Sequence, residues 1–141
     1  MTISVPLQII DLHGDGYHLL VEVVIQGQAF TLVLDTGASK TAFDHSIYLQ
    51  LAEGSPVRSS DRLSTGLGTN SMTSSTALIS DMHIGDLHIL EFEVAILDLS
   101  TINIAYRQLN HPEVLGVLGG DILMAYNSVI DYGTRMLSFS I

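Results

Sequence analysis

The sequence predicts a mainly β protein whose sheet closes into a barrel, with two or three short helices. Three observations predict it: apolar and polar residues alternate with a period of two, short β-branched runs end at turn residues, and no linker or low-complexity tract divides the 141 residues. With 47% hydrophobic and 14% charged residues, the composition is typical of a packed domain and excludes a disordered chain. We therefore expect a single domain over residues 1–141.

The first third of the chain predicts three strands joined by two hairpin turns. The strands share β-branched and aromatic residues, and they cover residues 5–9, 17–25 and 29–34. The turns contain glycine and other residues that accept positive φ, and they comprise residues 13–16 and 26–28. The third strand ends abruptly at Asp35.

Three segments predict short helices. Residues 43–51 form the first, because Asp44 can cap its N-terminus. The second begins with Ser100 or Thr101 as its cap. Its apolar face has helical spacing and comprises Ile102, Ala105, Tyr106 and Leu109. The third helix covers residues 121–126.

The second half of the chain also predicts a hairpin with two different faces, in which Gly85 and Asp86 form the turn. One face is apolar and comprises Met82, Ile84, Leu87 and Ile89. The other face is polar and comprises Asp81, His83 and His88. Further strands are predicted at residues 92–97, 129–132 and 136–141, with a buried apolar run at residues 114–118.

Charge and cysteine content exclude several functions. Fifteen acidic against five basic residues give a net charge of −10, so the protein repels phosphate backbones and anionic lipids. We expect no nucleic-acid partner and no membrane partner. Without cysteine there is no disulfide, zinc-thiolate site or catalytic thiol. The N-terminus lacks the features of a secretory signal, and we expect a cytoplasmic protein.

A carboxylate at the end of an apolar strand is the clearest candidate for catalysis. Asp35 follows the apolar run 32–34, where burial makes a charged group costly unless hydrogen bonds support it. Thr36 adds a hydroxyl, and Gly37 lets other groups approach the backbone. A general acid or base needs such a setting. The alternative is that Asp35 only begins an ordinary turn.

The segment 32–39, Leu-Val-Leu-Asp-Thr-Gly-Ala-Ser, resembles the active-site motif of the aspartic peptidases. Residues 116–119, Gly-Val-Leu-Gly, resemble the second conserved motif of that clan, and residues 121–123 resemble the short helix that follows it. Four residues fall where the family has its flap hairpin, namely Gly66, Leu67, Gly68 and Thr69. From about residue 21 onward the chain is similar to the retropepsin-like, single-lobed, bacterial-type members. The resemblance implies an acid-protease β-barrel with a flap hairpin.

The resemblance also implies a mechanism and a site. Asp35 would be the catalytic residue, and the same residue of a second chain would complete a pair of carboxylates in a homodimer. The supporting loop would comprise Thr36, Gly37 and Ala38, and the loop of the second motif would comprise Val117, Leu118 and Gly119. The substrate would be a peptide or protein, cleaved by an activated water. No cofactor and no metal is implied.

Two departures from the viral members affect this site. Ser39 and Lys40 stand where those enzymes have acidic residues, and Gly120 stands where they have an arginine. Lys40 could face Asp121, or both charges could be solvated. The terminal segments 1–6 and 137–141 could interleave in a dimer sheet, as in the family, or form ordinary edge strands.

Three alternatives stay open beside the peptidase. The same fold could be a non-catalytic peptide-binding or dimerisation module. A calcium-loop pattern comprises Asp11, His13, Asp15, Gly16 and Glu22, but the strand-like flanks argue against it. The polar face of the predicted hairpin, with Asp81, His83 and His88, could bind a metal or could be ordinary polar surface.

Overall fold

The computed structural model describes residues 1–51, 58–63 and 73–141, and these residues form eleven strands and three helices. The first six strands are β1 (Thr2–Pro6), β2 (Gln8–Asp11), β3 (Tyr17–Ile25), β4 (Gln28–Leu34), β5 (Ala42–Asp44) and β6 (Arg58–Leu63). The others are β7 (Thr73–Ile84), β8 (Leu87–Leu97), β9 (Gly116–Leu118), β10 (Val129–Asp131) and β11 (Met136–Ser140). The helices are α1 (His45–Leu51), α2 (Ser100–Gln108) and α3 (Gly120–Ala125). The mainly β prediction is confirmed.

Six strands close into a barrel. Their hydrogen-bonded order is β3-β4-β9-β5-β8-β7, and β7 returns to β3 through the pairs Val24↔His83 and Ile25↔Met82. Strand β2 continues the sheet beyond β3, and β6 continues it beyond β7. Strand β9 lies between β4 and β5, parallel to β4 and antiparallel to β5. This insertion brings the late segment 116–118 beside the strand that ends at Asp35.

A separate three-stranded sheet has the order β1-β11-β10. It corrects the first predicted hairpin, because residues 5–9 do not form one strand. Pro6, which has no N–H to donate, ends β1 there. Leu7 instead donates its N–H to the carbonyl of Arg135, and only β2 pairs with β3. Since β1 pairs with β11 of its own chain, the edge strands of this sheet are β1 and β10.

Among the described residues the core has two parts, because several barrel strands are covered on both faces. Leu32 and Leu34 of β4 belong to the larger cluster inside the barrel, which the second sheet closes at Leu137 and Phe139. Val33, which points to the opposite face of β4, belongs to a smaller cluster on the α2 side. Apolar side chains therefore surround the strand that leads to Asp35.

The helix predictions are correct in number and differ in detail. Asp44 caps α1 as predicted, since its Oδ2 accepts the N–H of Ile47 at 3.3 Å. The predicted cap of α2 is wrong: Leu99 is the N-cap residue and makes no side-chain cap bond. The predicted apolar face of α2 is also wrong in part, because Ala105 is exposed and Asn103 is buried. Asn103 fits there because its amide exchanges two hydrogen bonds with the backbone of Val114, at 2.8 and 2.9 Å.

The hairpin of β7 and β8 has the predicted register. Gly85 and Asp86 form its turn, and the flanking pairs are Ile84↔Leu87 and His83↔His88. The four apolar side chains predicted to share a face are buried, namely Met82, Ile84, Leu87 and Ile89. Strand β5 was not predicted as a strand, and the last strands end within two residues of the prediction. Within residues 1–51, 58–63 and 73–141, no helix has the length and apolarity to cross a bilayer.

Candidate active site

The two sequence motifs lie side by side at one end of the barrel. Strand β4 runs parallel to β9, and Leu34 pairs with Leu118. Immediately beyond this pair, the backbone N–H of Asp35 donates to the carbonyl of Leu118 at 3.0 Å. The inserted strand therefore supports the loop that carries the carboxylate. The two motifs, which are far apart in the sequence, are therefore in direct contact in the fold.

The carboxylate of Asp35 is half-buried and its position is defined by local hydrogen bonds. Its Oδ1 accepts the N–H of Gly37 at 2.9 Å, and the Asp35 carbonyl accepts the N–H of Ala38 at 3.2 Å. Ala38 is buried, whereas Thr36 and Gly37 are exposed. The loop is thus anchored at its base and presents its tip outward.

A buried hydrogen-bond network supports the loop from below. The Thr41 hydroxyl donates to Oδ1 of Asp121 at 2.7 Å and accepts the N–H of Gly119 at 3.0 Å. The same carboxylate oxygen accepts the backbone N–H of Thr41 at 2.9 Å. Gly120 in turn donates its N–H to the carbonyl of Ala38 at 2.8 Å. The start of α3 is thereby joined to the segment that follows Asp35.

Of the two alternatives for Lys40 and Asp121, the direct contact is not formed, and neither charge is simply solvated. The ammonium of Lys40 pairs with the carboxylate of Glu93 on β8. Asp121 is engaged instead by Thr41 and by the N–H of Ile122. The physical reason is that the Thr41 hydroxyl and N–H bind this carboxylate without burying an ammonium group.

Replacing Thr41 by Val is expected to destabilise the protein by about 3 kcal/mol. Thr41 is completely buried, so the valine would leave the Gly119 N–H and the Asp121 carboxylate without their hydroxyl partner. Thr41→Ser keeps the hydroxyl and should lose only about 1 kcal/mol for the missing methyl group. Urea unfolding of both variants measures this difference. Equal losses would show that the hydroxyl contributes little.

Tyr106 is a residue near Asp35 that the sequence did not single out for the site. Burial, together with a smaller effect of the negative charge of Asp35, raises the pKa of Tyr106 to about 12. The phenol oxygen lies 2.6 Å from Nδ1 of His18 and shares a hydrogen bond with it. The sequence had suggested Tyr106 only as an apolar helix residue, because helical spacing does not reveal what a phenol hydroxyl faces.

The Tyr106 phenol is expected to ionise only near pH 12, against an ordinary pKa of 10.0. Since the folded-state pKa is raised, the associated stability is complete below pH 10 and is lost as the pH rises towards 12. A rise in pKa from 10.0 to about 12 corresponds to about 3 kcal/mol. The ultraviolet absorbance of phenolate measures the titration. Burial also raises the pKa of Tyr48, so Tyr106→Phe is needed to identify the step. An unchanged titration curve in that variant would contradict the assignment.

The remaining predicted site residues divide into three groups. Gly66, Leu67, Gly68 and Thr69 lie outside the described residues, although β6 and β7 on either side of them are antiparallel partners. The calcium pattern is not supported, because β2 and β3 flank the loop and Glu22 pairs with Thr31 inside the sheet. The structure does bring Asp81, His83 and His88 together.

The fold and the site define a class of protein. A six-stranded barrel with an Asp-Thr-Gly loop, supported by a glycine-bearing strand inserted between β4 and β5, is a retropepsin-like aspartic protease architecture. Residues 21–122 match the family model described as "Aspartyl protease". The chain belongs to the aspartyl protease family. This confirms the resemblance recognised in the sequence.

Solved structures give the same fold. A retropepsin-like aspartic protease from Rickettsia conorii aligns with a TM-score of 0.62 at 15% identity, covering 99% of this chain and 93% of that one. The retroviral protease-like domain of Ddi1 from Leishmania major aligns with a TM-score of 0.55 at 17% identity, covering 86% and 87%. No curated protein sequence has significant similarity to the chain.

Proposed function

We propose that the protein is an aspartic endopeptidase that acts as a homodimer, with Asp35 of each chain forming the catalytic pair. The observation that carries this proposal is the Asp35 loop itself. Its base is held by Leu118 and Ala38, while its tip at Thr36 and Gly37 is exposed. The sequence contains one Asp-Thr-Gly, so one chain supplies one such carboxylate. A two-fold axis close to the loop would bring the second carboxylate to the first.

The proposed mechanism divides the work between two carboxyl groups. One ionised Asp35 takes a proton from a water molecule, and the water oxygen attacks the peptide carbonyl carbon. The protonated Asp35 of the other chain gives its proton to the carbonyl oxygen. When the tetrahedral intermediate collapses, a proton passes to the amide nitrogen, the C–N bond breaks, and a carboxylic acid and an amine leave. Two carboxyl groups in contact readily share a single proton, because two negative charges at that distance repel each other strongly.

Substrate would bind in extended form under the predicted flap. Strands β6 and β7 are antiparallel, with the segment carrying Gly66 and Gly68 between them. A peptide beneath such a hairpin gains backbone hydrogen bonds by strand addition, and its alternate side chains enter pockets. Closure of a hairpin over a site also excludes water from the reaction. No cofactor takes part in the proposed reaction.

The test is hydrolysis of a mixed, unstructured peptide pool across roughly pH 3–7, the range in which coupled carboxyl groups pass through a singly protonated state. Mass spectrometry identifies the products, and sedimentation measures the oligomeric state. At protein concentrations below the dimer dissociation constant, the rate should rise with the square of concentration. A rate proportional to concentration in a monomer would contradict the shared pair. Absence of cleavage by a proven dimer would favour the non-catalytic peptide-binding module.

A further inference from the structure

The β7–β8 hairpin carries, away from the Asp35 loop, a group of side chains of the types that can bind metals. Asp81 and His83 are two residues apart on β7, and they share a face of the sheet, since the Asp81 carboxylate contacts the His83 ring. His88 on β8 is the direct cross-strand partner of His83. Strand register thus brings three potential ligands together beside the Gly85 turn. The Asp35 chemistry uses none of them.

The ligand atoms of this group lie close together. Oδ1 of Asp81 lies 2.8 Å from Nε2 of His88 and 3.2 Å from Nε2 of His83. The two imidazole rings are stacked, with 4.0 Å between centroids and 8° between planes. All three ligand atoms lie within 4.8 Å of one another. Both rings therefore direct the same nitrogen towards the same carboxylate oxygen.

The backbone contributes to this convergence. Asp81 has a φ of +63°, a left-handed conformation that aspartate adopts more readily than most residues. Its carbonyl accepts the N–H of Gln26, which joins this point of β7 to the turn between β3 and β4. The side chains themselves are part-exposed, so an ion and its water ligands can reach them.

We propose that Asp81, His83 and His88 form a binding site for a divalent transition-metal ion of the Zn²⁺ type. Two imidazole nitrogens and one carboxylate oxygen are ligands that suit zinc, cobalt and nickel better than magnesium or calcium. Zinc binds such atoms at about 2.0–2.2 Å, so a tetrahedral ion needs them about 3.3 Å apart. The contacts of Oδ1 with the two Nε2 atoms, at 2.8 and 3.2 Å, are near that separation, and binding would tilt the two stacked rings apart so that both in-plane lone pairs face the ion. Water would fill the remaining coordination position.

At this site a metal ion would compete with protons for the lone pairs of the two Nε2 atoms. Each imidazole coordinates through the lone pair of Nε2 and keeps its remaining proton on Nδ1, while the carboxylate binds as the anion. The bound ion would take the place of the N–H groups that donate to Asp81. Affinity should therefore fall on acidification. The net charge of −10 favours a cation at the surface.

The consequence of binding is a stiffer hairpin. His83 and His88 face each other only when β7 and β8 are paired, so an ion that binds both stabilises the folded state. The turn also packs against the second sheet, since a side chain at Gly85 would collide with Val5 of β1. The ion would therefore stabilise the end of the barrel that contacts the β1-β11-β10 sheet.

Thermal unfolding and titration calorimetry with Zn²⁺ test the site, and the visible absorption of bound Co²⁺ reports its ligands. All measurements use the full chain, as wild type and as the Asp35→Asn variant. Because that variant lacks the proposed catalytic carboxylate, metal binding is tested independently of peptide hydrolysis. We expect a rise in Tm of about 5–10 °C at a free Zn²⁺ concentration about 100-fold above Kd. Magnesium at the same concentration should leave Tm unchanged.

Matched variants distinguish this site from incidental binding. His88→Gln and Asp81→Asn should each raise the Kd for Zn²⁺ about 10- to 100-fold, because each substitution removes a ligand. Asn tolerates the left-handed backbone at position 81, so the Asp81→Asn variant should fold as the wild type does. His45→Gln, an exposed histidine outside the group, should bind as the wild type does. Equal binding by His88→Gln and wild type, or no Tm rise in the wild type, would overturn the proposal.

Discussion

Asp35→Asn is expected to fold as the wild type does and to hydrolyse peptides about 10³-fold more slowly. The amide has the shape of the carboxylate, and its oxygen can still accept the Gly37 N–H that Oδ1 now accepts at 2.9 Å. It cannot take a proton from water or hold one for the carbonyl oxygen, and loss of a general acid or base lowers rates by about 10²–10⁴. Initial rates on the cleaved peptides measure the change.

Asp86→Asn is the matched control for this variant. Asp86 is an exposed carboxylate in the β7–β8 turn, so removing its charge should leave the hydrolysis rate unchanged. Sedimentation of the Asp35 variant should show the same dimer as the wild type. If Asp35→Asn cleaves as fast as Asp86→Asn does, Asp35 is not the catalytic acid or base and the proposed function is wrong.

Gly116→Ala is expected to destabilise the protein by about 4 kcal/mol or more. A Cβ at this position would lie 2.8 Å from Cα of Phe43 and 2.9 Å from the carbonyl carbon of Ala42, and closer still to the Ala42 oxygen. These are backbone atoms of β5, which is paired to β9 and cannot move aside alone. Changes that overpack a core in this way belong to the most destabilising class.

Gly120→Ala tests whether the steric contact is the cause. A Cβ there would meet its nearest atom, the Ala38 carbonyl oxygen, at 3.5 Å, which is ordinary contact. Its stability should stay within about 1 kcal/mol of the wild type, since alanine also restricts the unfolded chain. Urea midpoints and slopes compare the two variants. Similar midpoints for both would show that β5 and β9 can separate at little cost.

The sequence allowed the barrel class to be predicted because period-two alternation marks strands with buried faces. The β7–β8 register followed from Gly85 and from which side chains share a face. Strand β5 escaped prediction because its three residues are all buried and show no alternation. The end of β1 at Pro6 was also not predicted, because it depends on the hydrogen bond from the Leu7 N–H to the distant carbonyl of Arg135.

The candidate site was predictable where its residues form a local motif and unpredictable where they meet through packing. Asp35 and residues 117–119 stood out by type and order. Thr41 and Asp121 lie 80 positions apart, and their hydrogen bond depends on the way α3 returns to the Asp35 loop. The neighbourhood of Tyr106 likewise depends on how α2 lies against the barrel. Pairwise contacts of this kind leave no periodic trace in a single sequence.

The insertion of β9 between β4 and β5 has a consequence for the order of folding. Leu32 of β4 pairs with Gly116 of β9, and β9 also pairs with β5. The chain must therefore be synthesised as far as β9 before β4 and β5 can be joined. Until then both strands expose unpaired edges rich in apolar residues, which favour pairing with other chains. Long-range closure of this kind makes folding slow. Refolding yield should therefore fall as protein concentration rises. Substitutions in β9 should lower that yield even where the folded protein keeps an intact Asp35 loop.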